Sequence, residues 1–181
     1  EYILENPEIV TEAVSLLQEK EEKAKASRVA AAIKSNRAAL FNPPEGTVLG
    51  NPKGDVTLVE FFDYNCGFCK RSLNDIAELI KNDPKLRVVL KELPILSEGS
   101  VEAARVSVAV RMQDPTKYWA FHRTLMSGRG EANAAQALAA ALKAGLDVER
   151  IKKDISNPEV DATLHEVQEL AKALAISGTP S

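Results

Sequence analysis

The chain has 181 residues, 45% of them hydrophobic and 27% charged, with a formal net charge of −3. That suffices for one well-buried core and lacks both the basic excess and the aromatic platforms of a nucleic-acid binder. No apolar run approaches the roughly 18–20 residues that span a bilayer. The opening Glu1-Tyr2-Ile3-Leu4-Glu5-Asn6-Pro7 has neither the basic start nor the apolar core of a signal peptide, which suits a cytosolic chain and a mature exported one equally.

Residues 1–41 read as a helical arm. Asn6 is placed to cap a helix, Pro7 suits its first turn, and Glu8 complements the positive end of its dipole. Ile9, Ala13, Leu16, Leu17 and Lys20 keep helical spacing, and Val29, Ala30, Ile33 and Ala38 resume it beyond the charged stretch 18–25. Such a helix either folds back on its own domain or projects and pairs with copies of itself. The Ala-rich 24–39 segment permits close helix approach and favours the second reading. Asn42-Pro43-Pro44-Glu45-Gly46 ends the arm. Residues 42–99 then carry a short strand at Thr47-Val48-Leu49, a turn at 51–55 and a buried strand at 56–62. Leu73, Ile76, Ala77 and Ile80 predict a helix over 67–81 that Asp83-Pro84 breaks, and 86–93 is the next strand. The order strand–helix–strand is a βαβ unit with parallel strands. Residues 100–175 read as a helical insertion, with helices at 100–112, 115–127, 131–145, 147–154 and 158–175, and 176–181 turn back towards the sheet.

The only two cysteines, Cys66 and Cys69, lie three positions apart. A bridge across two residues closes too small a loop to be a useful staple, and disulfide frameworks use more cysteines at wider spacing. Chemistry explains the pair better. Cys66 follows a buried strand and opens a helix, where unpaired backbone N–H groups and the helix dipole favour a thiolate. Cys69, one turn further in, is the less exposed thiol and is placed to attack a mixed disulfide formed at Cys66. A zinc or iron–sulfur site needs about four ligands. His122 and His165 sit in separate predicted helices without ligand spacing, so no metal and no cofactor are expected. Glu60 interrupts the apolar strand. Either it is a buried acid that moves the Cys69 proton, with Lys91 on the neighbouring strand as partner, or it occupies an edge or water-lined position without a catalytic role. Asp63, Tyr64 and Asn65 form the lip of the site, and Phe68 offers an apolar surface between the cysteines.

Val59-Glu60-Phe61-Phe62-Asp63-Tyr64-Asn65-Cys66-Gly67-Phe68-Cys69-Lys70 resembles the active-site strand and helix of the DsbA-like thioredoxin superfamily, and the helical insertion and late Gly178-Thr179-Pro180 follow the same order. The resemblance covers roughly residues 47–181. It implies an α/β thioredoxin fold with an inserted all-helical subdomain, with Pro180 as a cis-proline and Thr179 beside the redox pair, touching substrate backbone. Glu60 matches the family's buried acid by position, and Lys91 matches more loosely. DsbA itself carries Pro-His between its cysteines and valine before the cis-proline. Gly67-Phe68 and Thr179 are more similar to isomerases of the DsbC type and to the ScsC proteins. The opening Tyr2–Ile9 and the long arm resemble ScsC-like and Com1-like members, some of which oligomerise through such an arm. Thioredoxin folds continue past the cis-proline into a hairpin and a final helix, so the natural chain is expected to run some tens of residues beyond Ser181.

The function these readings imply is that of an exported, periplasmic thiol:disulfide oxidoreductase of the isomerase type. Its partners would be cysteine-containing protein substrates, contacted through Gly67, Phe68, Thr179 and Pro180, and a membrane redox protein. It would assemble as a homo-oligomer through residues 1–40 without spanning the membrane. The alternatives are a monomeric dithiol oxidase and, from another class, a copper(I)-binding metal-tolerance protein that uses the two soft thiolates.

Overall fold

The computed structural model describes residues 2–44 and 46–181, so Glu1 of the expected arm and Glu45 of the expected break lie outside the described residues. The arm comprises α1 (Tyr2–Glu5), α2 (Glu8–Ser35) and α3 (Arg37–Phe41). Asn6 does not cap α2 as predicted: its side-chain amide donates to the Tyr2 carbonyl at 3.0 Å and closes α1, while Pro7 holds the N-cap position of α2 and makes no side-chain cap bond. At about 1.5 Å per residue, α2 is roughly 42 Å long, and none of its residues is buried. It is therefore not laid along the domain. Leu4, Leu16 and Leu17 stay more than half exposed, while at its base Val29 and Ile33 border an apolar hollow with Leu40, Phe41, Val59 and Phe61.

The sheet has three strands, β1 (Val48–Gly50), β2 (Val56–Phe62) and β3 (Leu86–Glu92), in the order β1-β3-β2. β1 runs antiparallel to β3 and β2 parallel to it, with α4 (Gly67–Asn82) as the crossover. β-branched and aromatic residues favour β2, and its carboxyl end, Glu60-Phe61-Phe62, is fully buried. The register sets Glu60 against Leu90, Phe61 against Lys91 and Phe62 against Glu92. Because neighbours along a strand face opposite sides, Phe62, Val88 and Leu90 pack with Leu73 and Ile76 of α4. Phe61 and Leu93 pack on the other side with Leu40 and with Val167 and Leu170 of the last helix.

The insertion holds α5 (Glu98–Gln113), a 3₁₀ turn (Pro115–Lys117), α6 (Tyr118–Met126), α7 (Ala134–Lys143), α8 (Val148–Asp154) and α9 (Pro158–Ala173). Three of the differences from the predicted limits have a clear local reason. The predicted 115–127 helix splits because Asp114 accepts from Thr116 N at 3.0 Å and tightens the first turn. α7 starts at 134, not 131, because Asn133 caps it by accepting from Gln136 N. α9 stops before 175, where Ala175 takes φ +55° in a position that usually favours glycine. Beyond it the Thr179–Pro180 peptide is cis, and Ser181 exchanges two main-chain hydrogen bonds with Phe61, at 2.9 and 3.2 Å.

Gly50 closes β1 at φ +73°, and a Cβ there would stand 2.5 Å from the Leu86 carbonyl oxygen. Gly50→Ala is expected to lower unfolding stability by about 1–3 kcal/mol. Urea titration checks it, and a neutral result would mean that the β1–β3 corner relaxes freely.

Candidate active site

The apolar run of β2 ends at Phe62, and three polar-tipped residues carry the chain to Cys66, the N-cap of α4. Its backbone is extended (φ −77°, ψ 115°) and its sulfur accepts from Cys69 N at 3.4 Å. A thiol thus fills a place where serine, threonine, aspartate or asparagine usually satisfies a free helix amide. Both cysteines are free thiols; Cys66 keeps 5% exposure and Cys69 none. Thr179, 113 positions away, is brought against the pair: the Cys66 thiol donates to its carbonyl at 3.1 Å. The Thr179 hydroxyl is buried and has no hydrogen-bond partner among the described residues.

The two thiols are driven apart electrostatically. Burial pushes Cys66 up, but the polar Thr179 side chain beside it and the donors of Cys69 and the Phe68 amide outweigh that and leave the thiol below its ordinary value. Burial raises Cys69 to about 12, helped by the neighbouring Cys66 sulfur. Gly67 and Phe68 lie at the mouth. Phe68 is 64% exposed, with the Arg71 guanidinium 4.4 Å above its ring.

Glu60 is buried on the α4 side of the sheet. Ser72, one helical turn beyond Cys69, donates to its carboxylate at 2.6 Å and lies 2.9 Å from the Cys69 carbonyl. Burial raises the Glu60 pKa against the opposing Ser72 bond. The expected Glu60–Lys91 pair is corrected by the register. Lys91 stands against Phe61 and faces the α9 side, where its ammonium lies 3.9 Å from Glu166. Burial lowers its pKa.

The lip proves to be an anchor. Asp63, 1% exposed, accepts from Asn65 N (2.7 Å), Ser100 Oγ (2.7 Å), Ile95 N (2.9 Å) and Leu96 N (3.1 Å). It therefore ties the turn before Cys66 to the start of α5. Tyr64 points inwards to Ser107 Oγ at 2.8 Å and His122 Nδ1 at 3.2 Å. Ser107 and Tyr118 in turn donate to the buried carboxyl of Glu92, whose pKa burial raises. Among these, Ser72, Glu92, Ser107 and Tyr118 were not singled out from sequence. Their partners lie 12 to 43 positions away, and no local pattern encodes such pairings; the polar break at Glu92 in an apolar strand was the one available sign. Among the described residues, no cluster of three or more His, Cys, Asp or Glu could hold a metal ion, and no helix is long and apolar enough to cross a membrane.

A parallel βαβ unit, a redox-spaced cysteine pair capping its helix and a cis-proline beside them define a thioredoxin-type protein with a helical insertion. The chain belongs to the DSBA-like thioredoxin domain family, which it matches over residues 57–181, a family of thiol–disulfide oxidoreductases. Residues 1–24 match the copper resistance protein ScsC N-terminal domain. A thioredoxin-like oxidoreductase from Silicibacter pomeroyi is 49% identical, with TM-score 0.76 and coverage of 81% of this chain and 83% of that one. Proteus mirabilis ScsC in a compact conformation is 29% identical, with TM-score 0.73, covering 98% and 87%. The chain spans between about a fifth and somewhat over a third of the length of the curated relatives it matches. One is the Na(+)/H(+) antiporter NhaA 1 of Salinispora arenicola, 25% identical over 140 residues, which are 77% of this chain and 22% of that protein.

Burial holds His122 neutral down to about pH 3, whereas in the unfolded chain its imidazole takes a proton near 6.5. Acid therefore favours unfolding, and His122 removes stability progressively as pH falls from 6.5 towards 3. His122→Phe is expected to lose stability less steeply than the parent chain over that window. Urea midpoints at several pH values check it; equal slopes would contradict the assignment.

Proposed function

We propose that Cys66 is the attacking thiol and Cys69 the resolving thiol of an exported protein thiol–disulfide oxidoreductase of the isomerase type. The observation that carries this reading is the Cys66 sulfur at the amino end of α4, receiving an amide and lying against Thr179. The Cys66 thiolate attacks a substrate disulfide, forming a mixed disulfide and releasing the other substrate sulfur as a thiolate. When a second substrate thiolate attacks the same substrate sulfur, Cys66 is returned as a thiolate and the substrate is re-paired with no net electron transfer. If re-pairing stalls, Cys69 loses its proton and attacks the Cys66 sulfur, freeing the substrate reduced and leaving a Cys66–Cys69 disulfide. Glu60, held by Ser72, accepts that proton; its raised pKa keeps it a competent base for a thiol near 12.

The isomerase type is favoured by Gly67-Phe68, by Thr179 and by the exposed arm. The arm's apolar residues suit pairing with other copies, which would set several sites around one misfolded client. Gly67, Phe68, Thr179 and Pro180 form the substrate-facing surface, and a membrane redox protein would reset the pair. The ScsC match in residues 1–24 contains no cysteine, so it supports the arm and adds nothing to a copper site.

Cys69→Ser is expected to accumulate a mixed disulfide with substrate, and Cys66→Ser to form none. Mass spectrometry after trapping decides, and trapping at Cys69 alone would overturn the assignment. Glu60→Gln is expected to slow release from the mixed disulfide by about tenfold or more while leaving the initial attack unchanged, read by stopped-flow with a fluorescent disulfide peptide. For the isomerase reading, refolding of a scrambled disulfide substrate by the intact chain should exceed that by a chain lacking residues 1–40. Rapid oxidation of reduced peptides without unscrambling would instead mark an oxidase.

A further inference from the structure

The first two residues of α4, directly after Cys66, are weakly packed. Gly67 has open space around its α-carbon, where an added methyl group would meet no atom within 4 Å, and Phe68 is mostly in solvent. Yet the donors that favour the Cys66 thiolate, the amides of Phe68 and Cys69, work only while residue 66 stays extended and residue 67 already turns into the helix. Something outside the turn must hold that junction.

One loop reaches both of its flanks. Between α6 and α7, residues 128–132 are bonded by the residue before Cys66 and by the residue after Cys69. The Asn65 side chain grips Ala132 with both ends, Oδ1 accepting from Ala132 N at 2.6 Å and Nδ2 donating to Ala132 O at 2.9 Å. Lys70 Nζ donates to the carbonyls of Gly128 and Gly130, each at 3.3 Å. The loop is braced in turn by Ser97, the N-cap of α5, which donates to Glu131 at 3.1 Å and receives a bond from Asn65 at 3.3 Å.

We propose that Asn65 and Lys70 are positioning residues through which the 128–132 loop clamps the redox helix from both sides, keeping its first amides aimed at the Cys66 sulfur. Neither acts on the reacting atoms. The helical insertion would thereby set the reactivity of a sulfur that the loop does not touch. Preorganised donors stabilise charge without having to reorient when it forms, whereas a turn free to fray divides its time between aimed and unaimed amides. This inference rests on the reading of Cys66 as the attacking thiol.

The test is the Cys66 thiolate fraction, followed by ultraviolet absorbance against pH in the full chain, with the potential of the Cys66–Cys69 couple measured against glutathione. Asn65→Ala is expected to raise the Cys66 pKa, giving about a tenfold smaller thiolate fraction at a given pH below it, and to make the couple more reducing. The Ala132 amide should exchange its hydrogen faster. Lys70→Met should shift the same way and Lys70→Arg should restore the parent behaviour. Because 1 M salt shortens the Debye length to about 3 Å, a Lys70→Met shift that persists there reflects the clamp. One that vanishes there reflects charge alone and overturns the role of Lys70. If Asn65→Ala does not fold, the Lys70 pair and its salt dependence still decide. An ordinary Cys66 pKa in the parent would refute the attacking-thiol reading; a lowered parent value unchanged in every variant would refute the clamp alone.

Discussion

The register of β2 on β3 decides which side chains meet the helix that carries the two cysteines. With Glu60 against Leu90 and Phe61 against Lys91, one face of the strand pair turns Glu60, the Phe62 ring and branched aliphatics towards α4. The other delivers a cation and a second apolar cluster to α9. A slip of one residue in β3 alone would turn its side chains over and bring Lys91 to the same side as Glu60, beneath α4. The opposed behaviour of the two thiols presupposes this placement, because an ammonium under α4 would favour both thiolates.

Three carboxyl groups are buried around this junction, and their donor shells differ in a way that matches their positions. Asp63 collects two backbone amides of the β3–α5 connection, one of its own turn and the Ser100 hydroxyl. Charge-assisted bonds of this kind contribute about 1.5–3 kcal/mol each when the alternative is an unsatisfied buried ion. Such a shell immobilises the group, as befits an anchor. Glu60 receives one hydroxyl and Glu92 sits among Ser107 and Tyr118. Burial raises both, but only Glu60 lies against the cysteine helix, through Ser72.

Much of this was legible because local rules govern it. The apolar run 56–62, the helical spacing of Leu73, Ile76 and Ile80, and the Asp83-Pro84 break each carry their own instruction, and the structure places β2, α4 and β3 within a residue of those limits. The nearness of Cys66 to Thr179 was reachable only through family resemblance, since nothing local links residues 113 positions apart. What could not be read were choices among equivalent local options. Asn6 can cap a following helix or close a preceding one, and it does the latter. Lys91 can face either side of a strand whose pairing is unknown. Asp63 and Asn65 look like any polar turn until Ser97, Ser100 and Ala132 arrive from other elements.

The exposed ring of Phe68 gains a further meaning from its neighbour. A solvent-facing phenyl group ordinarily samples several rotamers, and a partner that seats it must order it, at about 0.5–1.5 kcal/mol for a flexible side chain. With Arg71 stacked 4.4 Å away on the same helix, part of that ordering is complete before any encounter. The guanidinium also offers a flat, weakly hydrated second surface beside the first. Ring and guanidinium thus form a partly ordered two-tiered surface beside the Cys66 turn, apolar on one tier and cationic on the other.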